Sequence, residues 1–245
     1  MGVWVRMHPK TSGRVRHVGP RQKRKAMAAA KSNTNWFVIG VSAAVVVVLA
    51  VLAFVVVSLN NQATDPGTAP QSSIVNEETG AISFGSGEDE IDTYVDFMCP
   101  VCGQFEDAYG EQLQAAAADD KITLNIHPVS ILNRLSTTGE FSSLSAGSMY
   151  CVAAEAPDAT LDYFNLLFAN QPEENSAGLS AEELSALAEQ AGAGAAADCI
   201  ADGTYNKFAD SQTKAHEISG TPTVEINGTR IDNSEIATEF AKILG

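Results

Sequence analysis

Two thiols three positions apart, in Cys99-Pro100-Val101-Cys102, stand where the apolar run from Ile91 to Met98 stops and a helical pattern begins. At that spacing the sulphurs can close on each other as a disulfide. Behind a strand and opening a helix, the first sulphur sits among unpaired backbone N–H groups at the positive end of the helix dipole, which favours thiolate over thiol. The pattern predicts Cys99 as a nucleophile and Cys102 as its resolving partner. Pro100 suits a first helical turn, because its φ is preset and no N–H is needed there. Half of a zinc site is the competing reading. Structural zinc needs about four ligands, yet no second Cys-x-x-Cys or His-x-His follows, and His127 and His216 are the only histidines beyond residue 60. Thiol–disulfide exchange without a metal or cofactor is the expected chemistry. His127, next to Pro128 at a strand end, is expected to be a packed or exposed strand residue and receives no role.

Charge divides the chain into two blocks. Residues 1–60 contain no Asp or Glu, and nine of the 15 Lys and Arg precede residue 32. Residues 61–245 hold all 30 acids, for a formal charge of −24 against +9 in the N-terminal part. Between the blocks, Trp36 to Leu59 is a run of 24 residues without a charge. At about 1.5 Å per residue that run crosses a hydrocarbon core of about 30 Å. A signal-peptide core is shorter, about 7 to 15 residues, and a soluble core helix would show a polar face. The expectation is a retained single-pass membrane helix over 36–59, preceded by a basic cytoplasmic tail over 1–35. Arg21, Lys23, Arg24, Lys25 and Lys31 place the N-terminus in the cytoplasm by the positive-inside rule, sending the rest outside. The tail's basic charge suffices as a topology signal, and no nucleic-acid partner is expected from it. All four cysteines then lie on the exported side, where disulfides form and persist.

From Asn60 to Thr79 the chain is polar and turn-rich, with Asp65-Pro66-Gly67 and Ala69-Pro70-Gln71-Ser72-Ser73, and reads as a flexible linker over 60–79. Residues 80–245 suffice for a single domain with its own core. Ala81–Phe84 and Ile91–Phe97 read as strands, as does Ile122–Ile131, where Ile122, Leu124 and Ile126 alternate. Cys99–Ala118 is helical in pattern, with Phe105, Tyr109 and Leu113 on one face. Residues 139–218 read as helical throughout, and Ser180-Ala181-Glu182-Glu183 has the form of a capping box. Thr223–Ile226, the dipeptide Asn227-Gly228 and Thr229–Ile231 predict a hairpin, followed by an amphipathic helix over Ser234–Leu244. Asn227-Gly228-Thr229 also fits a glycosylation sequon, but a type I′ turn is the simpler reading. The result is an α/β domain whose βαβ unit carries the dithiol at its first turn.

This order resembles the DsbA-like thiol oxidoreductases of the thioredoxin-like superfamily, in particular their membrane-tethered branch in Gram-positive, actinobacterial-type organisms. Three ordered pieces carry the resemblance over residues 79–245: Asp96-Phe97-Met98-Cys99-Pro100-Val101-Cys102, Leu167-Phe168-Ala169-Asn170-Gln171, and Gly220-Thr221-Pro222-Thr223 running into Ile226-Asn227-Gly228. The resemblance implies a thioredoxin-like fold with a helical insertion domain at about 139–218, and a protein-disulfide oxidoreductase that forms disulfides in exported, unfolded or thiol-containing proteins. It implies a membrane reoxidant of the DsbB or VKOR-like type. It also implies that Pro222 is cis and lies against the dithiol, with Thr221 offering backbone groups to a substrate strand. The domain is expected to work as a monomer.

Cys151 and Cys199, 48 positions apart in the insertion, are expected to form a structural disulfide. Closing a loop of that length stabilises by about 4 kcal/mol in the chain-entropy model. Four cysteines allow three connectivities, so the sequence leaves the pairing open. Two departures from the family pattern bear on strength. Val101 supplies no charge between the cysteines, and the position six before the nucleophile, often a buried acid in thioredoxin-like proteins, is Thr93. Asp92 and Asp96 are near but are expected to be displaced by the alternation of the strand. The nearest rival reading keeps the fold and reverses the direction, as a reductase or isomerase. Another is a non-catalytic binding module stapled by all four cysteines.

Overall fold

The computed structural model describes residues 35–244. The basic tail lies outside the described residues. The uncharged stretch forms helix α1 (Trp36–Thr64), which runs past Leu59 because the polar residues that follow continue it. Within α1, Ile39–Ser58 has a mean hydropathy of 3.0 and no buried residue. A core helix of a soluble domain would be buried, so α1 is a helix long and apolar enough to cross a membrane.

Five short strands make the sheet of the folded domain: β1 (Ile82–Phe84), β2 (Asp89–Val95), β3 (Ile122–Pro128), β4 (Thr223–Ile226) and β5 (Thr229–Ile231), in the order β1-β3-β2-β4-β5. β2 and β3 are parallel, with Ile91 opposite Leu124 and Thr93 opposite Ile126. The other pairs are antiparallel. β2 is the central strand, and Ile91, Thr93, Tyr94 and Val95 are all buried, as a strand covered on both faces requires. The β4–β5 turn has Asn227 at φ 49° and Gly228 at φ 74°, the two positive values a type I′ turn needs. The Asn227 side chain is engaged as well, accepting from Glu90 N–H and donating to Asp89.

The helix expected over Cys99–Ala118 is broken into α2 (Pro100–Phe105), a π turn (Glu106–Gly110) and α3 (Glu111–Ala118). Phe105 and Tyr109 pack from this segment onto Phe240 of the last helix, α9 (Ile236–Leu244), with ring centroids 6.2 and 5.2 Å apart. The insertion comprises α4 (Phe141–Glu155), α5 (Thr160–Ala169), α6 (Ala181–Gln190), α7 (Ala197–Ala201) and α8 (Asn206–Ala215). Residues 170–180 are not helical, so the insertion is less continuous than its composition suggests. Its organising element is α4, buried nearly all round from Phe141 to Ala153. The seryl hydroxyls of α4 are placed there by local bonds, such as Ser145 to the Phe141 carbonyl at 2.8 Å. A disulfide joins Cys151 of α4 to Cys199 of α7. The capping box at Ser180 and Glu183 starts α6.

The linker differs from its expectation. From Asp65 onward it is packed on the domain rather than free. Asp65 pairs with Lys207 at 3.0 Å, the Ser72 hydroxyl donates to the Ala153 carbonyl, Val75 is buried and bridges Ile82, and the Thr79 carbonyl meets His216 Nε2 at 2.7 Å. Its Pro and Gly residues serve to wrap a surface here, a role that composition alone does not separate from a flexible tether.

Candidate active site

β2 ends at Val95, and the chain turns once before α2: the Cys99 N–H donates to the Asp96 carbonyl at 2.9 Å. Cys99 stands just ahead of α2, and its carbonyl accepts from the N–H groups of Cys102 and Gly103 at 3.0 and 3.2 Å. The two sulphurs are free thiols in environments that differ sharply. Cys99 keeps 6% of its surface open and Cys102 none. The Cys99 thiol is lowered from its ordinary value to about 5, first by a hydrogen bond from Cys102, then by Thr221 and by the N–H groups of Cys102 and Val101, against the opposing effect of burial. Burial, together with the adjoining Cys99, drives the Cys102 thiol strongly upward. One sulphur is thus held as an anion and the other as a thiol at neutral pH.

The loop before β4 covers this pair. The Thr221–Pro222 peptide bond is cis, and the Thr221 carbonyl oxygen lies 3.4 Å from Cys99 Sγ. The buried Thr221 hydroxyl makes no hydrogen bond, while Thr221 as a whole helps lower the Cys99 thiol and partly opposes the rise of Cys102. Pro100 and Val101 lie in the first turn of α2, and Val101 is 49% exposed, the one large apolar side chain exposed outside α1 among the described residues. The structure therefore brings Cys99, Cys102, Pro100, Val101, Thr221 and Pro222 together, and places Cys151 and Cys199 in the insertion.

Two further residues belong to the site. Gln171, after α5, donates through Nε2 to the carbonyls of Phe97 and Cys99 at 3.1 and 2.9 Å, clamping the turn from the insertion side. Gly103 leaves room for it, since a Cβ there would stand 2.5 Å from Gln171 Oε1. Asp96 is a correction to the sequence reading. It is wholly buried, because β2 has ended and strand alternation no longer decides where its side chain points. Asp92, still on the strand, is bonded instead to His127 Nε2 at 2.8 Å. His127 is packed, stacking on Tyr94 with ring centroids 4.2 Å apart.

Among the described residues no group of three or more His, Cys, Asp or Glu is placed to hold a metal. A cavity of about 520 Å³ sits in the insertion between Glu140, Phe141, Leu179 and Asn206, and includes neither cysteine of the pair. Beside the buried pair the exposed group is Val101, an apolar side chain open to a polypeptide passing over the first turn of α2.

A sequence-family model described as thioredoxin matches residues 85–245. The serine/threonine-protein kinase PknE of Mycobacterium tuberculosis is 30% identical over 169 residues, covering 63% of this chain. The chain spans 29% of the length of that curated relative. The reduced crystal structure of DsbA from Mycobacterium tuberculosis has 28% identity and a TM-score of 0.60, covering 67% of this chain and 92% of that one. The disulfide oxidoreductase DsbG of the same organism has 28% identity and a TM-score of 0.58, covering 76% and 91%. MdbA from Actinomyces oris, a thiol-disulfide oxidoreductase, shares the fold at 23% identity and a TM-score of 0.56, covering 72% and 92%. With the family model spanning most of the folded domain and DsbA-type structures superposing on it, the chain belongs to the thioredoxin family, with the DsbA-like form of its fold.

Proposed function

We propose that this chain is a membrane-anchored thiol–disulfide oxidoreductase that forms disulfides in exported proteins. The observation that carries the reading is the asymmetry of the pair, a partly open Cys99 held as thiolate beside a closed, protonated Cys102. In the disulfide form a substrate thiolate attacks Cys99 Sγ. The Cys99–Cys102 bond breaks, Cys102 leaves and takes a proton, and a mixed disulfide links Cys99 to the substrate. A second substrate thiolate then attacks the substrate sulphur, closing the new disulfide and releasing Cys99 as thiolate. Holding that thiolate stabilises the reduced enzyme, which makes its disulfide the stronger oxidant.

Thr221 and Pro222 form the wall along which an extended substrate strand lies, and Val101 offers it an apolar contact next to the attacked sulphur. Such a surface suits unfolded proteins, whose cysteines are flanked by exposed apolar residues. Helix α1 fits a single-pass anchor. The basic residues before it favour a cytoplasmic N-terminus and an extracytoplasmic catalytic domain. Each turnover leaves the dithiol reduced, so a membrane reoxidant of the DsbB or VKOR-like type completes the cycle. The domain acts as a monomer, and Cys151–Cys199 serves stability alone. Trapping in intact cells tests this reading. With Cys102→Ala, the Cys99 thiolate attacks a disulfide of an exported protein, whose second sulphur leaves as thiolate, and with no Cys102 to resolve the mixed disulfide exported proteins are expected to be caught on Cys99. A variant that carries no exported protein contradicts the proposal.

A further inference from the structure

Thr93, six residues before Cys99, carries no charge. The carboxyl group buried against the dithiol turn belongs to Asp96 instead. Its Oδ1 accepts from the Met98 N–H at 2.9 Å and from the Ser142 hydroxyl at 2.8 Å, and its Oδ2 accepts from the Leu132 N–H at 2.9 Å. One side chain thus knots the turn that presents Cys99 to the connection after β3 and to α4. All three donors are neutral. The dithiol turn adds the two cysteines, the 129–140 connection carries only an exposed Arg134 and an exposed Glu140, and the first turns of α4 present seryl hydroxyls. From α8 comes Asp210, whose carboxylate is taken up by Ser130 and Ser143. No cation compensates Asp96 among the described residues.

We infer that Asp96 is a positioning residue of the exchange reaction, fixing the Cys99 turn against α4 and setting a buried negative charge that opposes the thiolate formed on reduction. This rests on the exchange reading above. When two substrate thiols become a disulfide they release two electrons and two protons. The Cys99–Cys102 bond takes the electrons, Cys102 takes one proton, and Cys99 remains a thiolate. The second proton is left for solvent or for Asp96. The Asp96 carboxyl is already raised to about 6, chiefly by burial, with its three hydrogen bonds opposing and the Cys99 charge adding to the rise. In the disulfide form that last contribution is absent. Reduction therefore draws a proton to Asp96 at mildly acid pH, and above that range the two anions repel, so Asp96 restrains the oxidising strength of the pair.

Redox-difference infrared spectroscopy on the full chain in detergent reads the carboxyl directly, the Asp96 band being the one lost in Asp96→Asn. Its midpoint is expected to lie higher in the reduced than in the oxidised chain. In equilibrium with glutathione at about pH 7.5, Asp96→Asn should shift the native balance about tenfold toward the reduced chain, the equivalent of one pKa unit of lost repulsion. Near pH 5, where native Asp96 is itself protonated, the shift should shrink toward none. A merely structural loss would move the balance equally at both pH values and would overturn the inference, as would equal Asp96 midpoints in the two redox states. If Asp96→Asn does not fold, the infrared midpoints of the native chain decide alone, the Asp96 band then assigned by isotope editing. A native chain that does not exchange with glutathione overturns the exchange reading and this one with it, whereas normal native exchange with an unaltered variant overturns this one only.

Discussion

Cys99 and Cys102 share one motif but not one environment, and the difference comes from residues remote in sequence. Alkylation of the mildly reduced chain should modify Cys99 alone, with a rate that falls only as pH drops through about 5. Cys102, fully enclosed, should react only after unfolding. A midpoint near 8 to 9 for the fast thiol, the range of a free cysteine, contradicts the account. Gln171→Ala removes two hydrogen bonds to the carbonyls of Phe97 and Cys99. It should cost about 1–2 kcal/mol and slow exchange several-fold in a stopped-flow assay, because the turn that aims Cys99 loosens. The dithiol was legible in the sequence because a local motif carries it, whereas Thr221 and Pro222 were reached only through the family resemblance. Asp96 and Gln171 stood inside matching segments, but their work was hidden. Their partners lie 36 to 74 positions away, a separation at which no periodicity reports a contact.

At the scale of elements, the βαβ unit, the hairpin and the α6 capping box followed from local patterning and turn chemistry, which act within a few residues. The π turn did not, because one extra residue per turn leaves the apolar spacing of Phe105, Tyr109 and Leu113 intact. Its partly buried Glu106 carboxyl is raised to about 8, by burial first and by Asp107 second. An acid raised on folding destabilises the native state as pH climbs from its unfolded value to its folded one. Glu106→Gln should therefore stabilise by about 4 kcal/mol near pH 8 and by almost nothing below about pH 4.5, a pH-resolved melting series being the check. The Cys151–Cys199 bond closes a loop of 48 positions between α4 and α7. Replacing both with Ala should cost about 4 kcal/mol of stability, read by denaturant unfolding, and leave the Cys99 titration in place. A changed Cys99 titration would link the two pairs.

On the whole-molecule scale, an apolar helix, a packed strap and an acidic domain follow one another along the chain. The helix was legible from 24 uncharged residues, whereas the strap was not, since its Lys207, Ala153 and His216 contacts join it to helices far along the sequence. Asp65→Lys should free the start of the strap and expose Gly67 and its neighbours to protease, with little loss of domain stability because the ion pair is exposed. The central claim is that this dithiol oxidises other proteins. It stands or falls most directly on the reduction potential of the Cys99–Cys102 pair, measured for the full chain against glutathione at neutral pH. A value well above the glutaredoxin range, toward about −120 to −180 mV, is the predicted result. A value near about −270 mV, where thioredoxin works as a reductant, would contradict it.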